Sequence, residues 1–390
     1  MISKIKLLAD DYFDDILKVR RHLHKFPELS FKEFKTSEYI QSFLTAHNIP
    51  FTSGHVKTGI VAELRGLNPK KKKILLRADL DALPIYEENK IEYKSVNNGI
   101  MHACGHDVHT SSLLGAMLIL NQLRDSFEGT IECVFQPGEE VLPGGAKLMI
   151  EEGLLSNPPS CCIAQHVFPD LEAGKVGFKS GMYMASTDEI HVKVKGKGGH
   201  AALPNKLVDP VLMAANLITN MQQIISRNNH PTDPSVLSFG YLKADGATNV
   251  IPDEVLIKGT FRTFNEKWRK EAHLKMKKLA KSICNGMGGD CDFEIREGYP
   301  FLKNDASITN IAKIAAEKYL GKENVVDLPL RMTAEDFSYF SQVSPSCFYR
   351  LGTGNENNLQ NLHSSTFNID ESAIKTAMGL MSYIAIEQLL

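Results

Sequence analysis

The chain has 390 residues and a formal net charge of −2, with 43% hydrophobic and 23% charged residues. Its length exceeds what one hydrophobic core usually supports, so we expect a globular protein with two domains. The near-neutral charge gives no electrostatic reason to expect nucleic acid or an anionic membrane as a partner, and no segment has the apolar length of a membrane helix.

The N-terminal sequence MISKIKLLADDYFDDILKV has apolar residues at helical spacing and acidic residues throughout. This pattern is typical of an amphipathic helix and not of a signal peptide. Seven cysteines at irregular spacing argue against a disulfide framework and favour a reducing compartment, so we expect a cytoplasmic protein.

Short apolar runs alternate with helical patterns up to about residue 180. We expect helices at 107–124 and 144–155, and strands at 59–64, 73–78, 130–136 and 161–167. This alternation predicts an α/β fold with a mostly parallel sheet and helices on both faces. Functional side chains of such sheets lie in the loops after the carboxyl ends of the strands.

From about residue 187 the patterns follow the order β-α-β-β-α-β, which is typical of a ferredoxin-like α+β domain. After about residue 300, helical and strand patterns resume, and a helix is expected at 370–390. We therefore predict a discontinuous domain formed by residues 1–183 and 300–390, with a second domain of residues 184–299 inserted into it.

The segment MHACGHDVHT at 101–110 has the densest group of reactive side chains. Cys104 and His106 are one residue apart, so an extended loop can direct both at one point, and thiolate with imidazole suits zinc or a similar metal. Asp107 is expected to cap the following helix. A cysteine nucleophile with a histidine base, or a polar loop without chemistry, are the alternatives that this segment leaves open.

Acidic and imidazole side chains follow the other predicted strands. Asp79 and Asp81 come after 73–78, Glu139 and Glu140 after 130–136, and His166 at the end of 161–167. Because adjacent carboxylates on a loop point in different directions, one of the two glutamates can bind metal while the other transfers protons. The simpler alternative is a pair of solvated surface acids.

Seven segments in order resemble the successive motifs of one enzyme family: RADLDALPIYE, MHACGHDVHT, FQPGEEVLPGGA, QHVFP, GKGGHAALP, TAEDFSYF and LHSSTFNIDE. They are similar to those of the metal-dependent amidohydrolases of the aminoacylase, hippurate hydrolase and indoleacetyl-amino-acid hydrolase type. These enzymes form a branch of the di-metal carboxypeptidase and aminoacylase family. The motifs span about 77 to 371, and the whole chain length fits the family.

This resemblance implies a site for two divalent metal ions, which could be zinc, manganese, cobalt or nickel. Cys104 would be the bridging ligand, where other branches use aspartate, and the remaining ligands would be His106, Glu140, His166 and His363. Glu139 would be the general base and later the acid. Asp81 and His109 would orient ligands without binding metal. Asp79 occupies a position where other branches have a metal-binding histidine, and its role stays open.

The resemblance also implies roles for the inserted domain as a lid and as the contact surface of a homodimer. His200 would reach a catalytic site of the partner subunit and stabilise the oxyanion. Asn249 and Arg262 would bind the substrate carboxylate, although both could equally support the fold. Thr333 is expected to cap a helix that begins at TAEDFSYF, with Glu335 near the site.

The expected activity is hydrolysis of the amide bond of N-acyl amino acids, with attack by a metal-bridging hydroxide while Glu139 transfers the proton. An N-acetyl-diaminopimelate deacetylase, or a dipeptidase or carboxypeptidase of the same family, is the first alternative. A metal-binding protein without catalysis is the second, although the presence of Glu139 argues against it. The acyl group and the physiological metal stay undetermined at this point.

Overall fold

The computed structural model describes residues 1–355 and 361–390. By contacts between residues, the chain divides into two compact units. The first unit, unit 1, comprises Met1–Tyr183, Lys303–Leu330 and Asp336–Leu390. The second, unit 2, comprises Met184–Leu302 and Arg331–Glu335. The assignment of separate catalytic, lid and dimerisation roles to these parts of the chain stays a prediction.

The helices and strands follow one another in an order that is α/β at first, then mainly antiparallel β, then α/β again. The helices are α1 (Ile2–Lys25), α2 (Phe34–Ala46), α3 (His106–Gln122), α4 (Gly145–Glu151), α5 (Pro210–Gln223), α6 (Glu266–Gly286), α7 (Ala306–Leu320), α8 (Ser338–Val343) and α9 (Ala373–Leu389). The strands are β1 (Phe51–His55), β2 (Gly59–Arg65), β3 (Lys73–Asp79), β4 (Thr130–Gln136), β5 (Cys161–Glu172), β6 (Val176–Phe178), β7 (Gly181–Met184), β8 (Asp188–Lys195), β9 (Gly199–His200), β10 (Ser235–Lys243), β11 (Val250–Ile251), β12 (Glu254–Thr263), β13 (Asp290–Glu297), β14 (Leu302–Asn304), β15 (Val325–Asp327) and β16 (Ser346–Gly354).

Unit 1 is built on a sheet of eight strands in the order β1-β2-β4-β3-β5-β16-β6-β15. The central strands β4, β3, β5 and β16 are parallel, as are β6 and β15, whereas β1 is antiparallel to β2, β2 to β4, and β6 to β16. The prediction of a mostly parallel sheet combined with helices is confirmed. The carboxyl ends of β3, β4 and β5 lead into the loops from which functional side chains are expected.

The main core of unit 1 lies between this sheet and the helices α1, α3, α7 and α9. Alternate residues of β2 (Ile60, Ala62 and Leu64) are fully buried in this core, as the two-residue repeat of a strand requires. Helices α3 and α9 are buried over most of their length; α9 and the second half of α3 are mainly apolar, whereas the first half of α3 contains buried polar side chains.

Unit 2 contains a sheet of four antiparallel strands in the order β10-β12-β8-β13, with α5 and α6 packed against it. A buried ionic cluster lies at one end of this sheet. Asp188 accepts hydrogen bonds from Arg269 Nε at 2.9 Å, from Arg269 Nη2 at 2.5 Å and from His273 at 2.7 Å.

Three local predictions from the sequence are wrong. The helix expected to begin at Thr333 begins at Ser338 instead. Strand β5 continues to Glu172, so His166 lies within the strand and not at its end. Asp107 does not cap α3, whose N-cap is Gly105. Among the helices of the described residues, none is long and apolar enough to cross a membrane.

Candidate metal centre

The segment Cys104-Gly105-His106 forms the junction between a buried loop and the start of α3. Gly105 has a left-handed conformation with φ of 82°. A Cβ atom there would lie 2.4 Å from Cγ2 of Val167 on β5, so only glycine fits. This close approach brings the side chains of Cys104 and His106 against the strand that contains His166.

Cys104, His106 and His166 form a first group of potential metal donors, all buried and close to one another. Cys104 Sγ lies 3.5 Å from His166 Nε2. His166 Nδ1 donates to the carbonyl oxygen of Val167 at 2.8 Å, so the Nε2 lone pair is directed at the sulfur. Burial and the charge of Arg350 lower the pKa of His166, which keeps the imidazole neutral as a metal ligand must be.

Cys104, Glu140 and His363 form a second group of donors that shares the Cys104 sulfur. His363 Nε2 lies 3.3 Å from this sulfur and 3.4 Å from Glu140 Oε1. His363 has a left-handed backbone with φ of 61°, and its N–H donates to the carbonyl of Ala103 at 2.8 Å. This bond fixes the loop of His363 to the residue before Cys104, although 259 positions separate the two donors.

Several donor atoms of these two groups have no hydrogen-bond partner among the described residues. Both ring nitrogens of His106 and Oε1 of Glu140 are buried and have no hydrogen-bond partner in residues 1–355 and 361–390. Buried polar atoms without partners are costly unless something else binds them. Burial and the charge of Glu140 raise the pKa of the Cys104 thiol, so a thiolate here needs a neighbouring cation. Thiolate, imidazole and carboxylate around one point fit divalent transition metals.

Asp81 links the two ligand-bearing segments. Its carboxylate accepts the N–H of Glu139 and the N–H of Glu140, each at 3.0 Å, and the hydroxyl of Ser30 at 2.7 Å. Oδ1 of Asp81 also lies 3.3 Å from His106 Nδ1. One buried carboxylate therefore positions both the imidazole and the loop that contains the two glutamates.

Asp79 and His109 form a second supporting pair. His109 Nδ1 donates to Asp79 Oδ1 at 2.6 Å, and His109 Nε2 accepts the N–H of Val167 at 2.9 Å. Arg77 donates to Asp79 Oδ2 at 2.6 Å. Burial alone would raise the pKa of Asp79, but His106, Arg77 and the hydrogen bond from His109 hold it well below its usual range. Both ring nitrogens of His109 and both oxygens of Asp79 thus have protein partners.

Glu139 is buried, with 6% of its surface exposed, beside the segment that precedes α8. The N–H of Asp336 donates to Glu139 Oε1 at 3.4 Å. The Asp336 carboxylate in turn accepts from Arg77 at 2.7 Å, from Gln136 at 2.8 Å and from the N–H of Ala146 at 3.0 Å. This network holds the segment around Asp336 against the Glu139 loop, and the sequence analysis missed it.

Glu33 is a second residue that the sequence analysis missed. Although fully buried at the start of α2, its carboxylate accepts three hydrogen bonds. Oε1 accepts the N–H of Phe31 at 2.8 Å and the N–H of Gly138 at 2.9 Å, and Oε2 accepts the hydroxyl of Thr58 at 2.8 Å. Gly138 is adjacent to Glu139 and has φ of 60°, so Glu33 fixes a turn of the loop that contains Glu139 and Glu140.

Asp107 belongs to a buried network instead of a helix cap. Its Oδ2 lies 2.9 Å from Arg20 Nε and 2.8 Å from His24 Nδ1, and His24 Nε2 lies 3.1 Å from Glu87. Burial would raise the pKa of Asp107, but Arg20 and His24 keep the pKa well below its usual range. The acid therefore joins the first turn of α3 to α1, and the local capping rule does not apply.

The three remaining predicted residues lie in unit 2. His200 at the end of β9 and Asn249 just before β11 are both exposed, and the N–H of Ala201 donates to the carbonyl of Asn249 at 3.0 Å. Arg262 lies on β12 and donates to the carbonyl of Met332 at 3.1 Å. Burial lowers the pKa of the Arg262 guanidinium. The roles of these residues in binding and catalysis stay predictions.

Comparison with known proteins gives the family. Residues 75–387 match peptidase family M20/M25/M40. The chain belongs to this family. It is 39% identical over 359 residues to an N-acetyl-L-cysteine deacetylase of Bacillus subtilis (strain 168), covering 92% of this chain and 84% of that protein. It is 42% identical over 304 residues to an N-acyl-L-amino acid amidohydrolase of Geobacillus stearothermophilus, covering 78% and 82% of the two chains.

A solved member of the family has the same fold. A Bacillus subtilis protein described as a dinuclear metal-binding peptidase of family M20 superposes with a TM-score of 0.84 at 33% identity, over 97% of this chain and 99% of that chain. The predicted family is therefore confirmed, and with it the class of enzyme, a metal-dependent hydrolase that acts on amide bonds.

Proposed function

We propose that this protein hydrolyses the amide bond of N-acyl amino acids with the help of two divalent cations. The observation that supports it most directly is the arrangement of the two donor groups, which share Cys104 and have His106 and His166 on one side and Glu140 and His363 on the other. One sulfur that is shared by two sets of donors can bind two neighbouring cations at once. The names of the related proteins support N-acyl amino acids as the substrate class.

The proposed ligands of the cations are Cys104, His106, Glu140, His166 and His363. When bound, two cations lower the pKa of a water molecule and polarise the carbonyl oxygen of the amide. The donor set suits zinc, manganese, cobalt or nickel, among which geometry alone does not choose.

Glu139 is the proposed general base and acid. It is adjacent to the ligand Glu140, it is buried, and its backbone N–H is held by Asp81 at 3.0 Å. A carboxylate in this position removes a proton from water and returns it to the leaving nitrogen, because one group can serve both steps in sequence. Asp81 and His109 hold the imidazoles and the loop in place.

A cysteine nucleophile at Cys104 is a weaker alternative. Burial raises the pKa of this thiol, whereas a nucleophilic cysteine needs a lowered pKa. The sulfur also has two histidine nitrogens within 3.5 Å, which is the environment of a ligand.

Unit 2 is proposed to be a ferredoxin-like domain that contributes to substrate binding and to a homodimer. Its strand order β10-β12-β8-β13 and the helices α5 and α6 support this topology. We assign oxyanion stabilisation to His200 and recognition of the substrate carboxylate to Asn249 and Arg262. A cytoplasmic location is supported by seven cysteines that are all buried and unpaired.

The proposal is tested by removing metal from the purified protein and restoring it with each of the four candidate cations. The metal content is measured by elemental analysis, and hydrolysis is assayed on N-acyl amino acids, N-acetyl-diaminopimelate and dipeptides. We expect two cations per chain and the fastest turnover on N-acyl amino acids. A preference for dipeptides would overturn the substrate class, and full activity without metal would overturn the mechanism.

A further inference from the structure

A cavity of about 370 Å³ lies on the face of β1, β2 and β4 in unit 1. It is distinct from the candidate metal centre: Glu132, which lines it, is near the start of β4, whereas Glu139 follows the end of that strand. Pro50, Phe51 and Val61 form its apolar wall, and Arg124 and Glu132 are among its charged residues. Its volume is in the range that small ligands occupy.

Two charged side chains of opposite sign line this cavity, and each has a buried atom without a hydrogen-bond partner among the described residues. Arg124 Nε is buried and has no hydrogen-bond partner within the part of the chain that the structure describes. Glu132 Oε2 lies 3.3 Å from Lys73 Nζ, whereas its buried Oε1 has no such partner among the same residues. The Glu132 side chain is only 12% exposed. Buried polar atoms of this kind lose hydration without compensation, unless a ligand binds them.

A second carboxylate lies beside the first. Glu63 on β2 is directly opposite Glu132 on β4 in the antiparallel register, and both residues line the cavity. Like charges at opposed positions are destabilising. Burial, and to a smaller degree Glu63, raise the pKa of Glu132. Arg65 pairs with Glu63, and Lys73 pairs with Oε2 of Glu132, so the acceptor that remains for a cationic group is Oε1 of Glu132.

We propose that this cavity binds a free α-amino acid with an apolar side chain. The ammonium group of the ligand donates to Oε1 of Glu132, and the carboxylate of the ligand accepts hydrogen bonds from the Arg124 guanidinium. The side chain packs on Phe51 and Val61. A simple anion would leave Oε1 of Glu132 without a partner, and a metal ion would leave Nε of Arg124 without one, so a ligand with both charges satisfies the cavity.

The surroundings favour entry of such a ligand. A wider groove shares Glu63, Arg65 and Glu132 with the cavity and is bordered by the run Lys70–Lys73. These positive side chains attract the carboxylate of the ligand.

The experiment is isothermal titration of the metal-loaded protein with L-leucine and with L-leucinamide, which lacks the carboxylate. Arg124→Met is expected to weaken leucine binding by roughly ten- to a hundredfold while leaving leucinamide binding unchanged. Glu132→Gln is expected to weaken the binding of both. A folding defect in Arg124→Met would weaken the binding of both ligands, so a loss for leucine alone reports on the contact with the carboxylate.

Lys70→Met serves as the matched control, since it removes a positive charge from the edge of the groove and not from the cavity. It is expected to bind leucine within about twofold of the wild type. Hydrolysis of N-acyl amino acids is expected to be unchanged in Arg124→Met, so the site is tested independently of the proposed activity. Equal leucine affinity in the wild type, Arg124→Met and Glu132→Gln would overturn the proposal, because leucine would then bind elsewhere, for example at the catalytic centre.

Discussion

The carboxylate of Glu33 accepts the backbone N–H of Gly138 at 2.9 Å, one residue before the proposed base Glu139. Burial and the charge of Asp81 raise the pKa of Glu33 to about 7, which shows how much solvation this acid has lost. A buried carboxylate that binds the backbone of a catalytic loop fixes the position of the loop without contacting the substrate. If Glu139 is the base, as proposed, its distance from the water thus depends on Glu33.

We predict that Glu33→Gln lowers kcat by about ten- to a hundredfold and leaves the metal content and KM nearly unchanged. The amide has one acceptor oxygen, so it cannot accept all three of the hydrogen bonds that Glu33 now accepts. Small displacements of catalytic groups have effects of this size. Glu38→Gln, a change at an exposed position of the same helix, is the control and should retain wild-type kcat. If Glu33→Gln were to lose metal along with activity, the residue would be structural and not a positioning residue for the base.

The adjacent residues Glu139 and Glu140 provide a matched pair of variants. Glu139→Gln should retain two cations per chain and lose nearly all turnover, because it removes the proton acceptor and no ligand. Glu140→Gln replaces the same oxygen by an amide nitrogen, but at a proposed ligand. It should therefore lose one cation. Elemental analysis with single-turnover assays checks both, and wild-type turnover in Glu139→Gln would show that the base is assigned wrongly.

Cys104 is expected to contact both cations through its sulfur. In protein reconstituted with cobalt, a thiolate ligand gives an absorption band in the near ultraviolet, which should be absent from Cys104→Asp. We predict that this variant still binds two cations, since the two oxygens of a carboxylate can each contact one cation. Cys104→Ala, which has no donor atom, should bind fewer. A cobalt spectrum of the wild type without any thiolate band would contradict sulfur ligation.

The sequence predicted those parts of the fold and site that local patterns determine. Apolar runs located β2, β3 and β4, and the positions just after such runs located Asp81 and Glu139. The strand predictions succeed because strand burial depends on a few consecutive residues, whereas the roles of Asp81 and Glu139 stay predictions.

Residues whose partners are distant in sequence could not be predicted in this way. Glu33 and Gly138 are 105 positions apart, and Arg77 and Asp336 are 259 apart. Nothing within a few residues of Glu33 distinguishes it from a solvated acid on an amphipathic helix. Asp107 shows the converse, because local rules predicted a helix cap while Arg20 on α1 binds its carboxylate in the folded chain.

The ionic cluster of unit 2 gives a prediction that does not depend on metal. Asp188 is fully buried and accepts hydrogen bonds from Arg269 and His273, and these bonds outweigh burial and lower its pKa. Asp188→Asn leaves Arg269 without a charged partner at this position, so it should reduce the free energy of unfolding of unit 2 by about 3–5 kcal/mol. Asp292→Asn, at an exposed acid of the same unit, should have little effect.

The pH dependence of this stability follows from the direction of the shift. Because the pKa of Asp188 is lower in the folded state, the unfolded chain binds more protons as the pH falls below about 4. The contribution of Asp188 is therefore complete above that pH and is lost as the pH falls through the folded pKa, and Asp188→Asn should lack this component. The chain has one tryptophan, Trp268, adjacent to Arg269 in α6, so its fluorescence during guanidinium unfolding reports on unit 2. An identical loss of stability with falling pH in the wild type and in Asp188→Asn would show that other groups control the acid sensitivity of this unit.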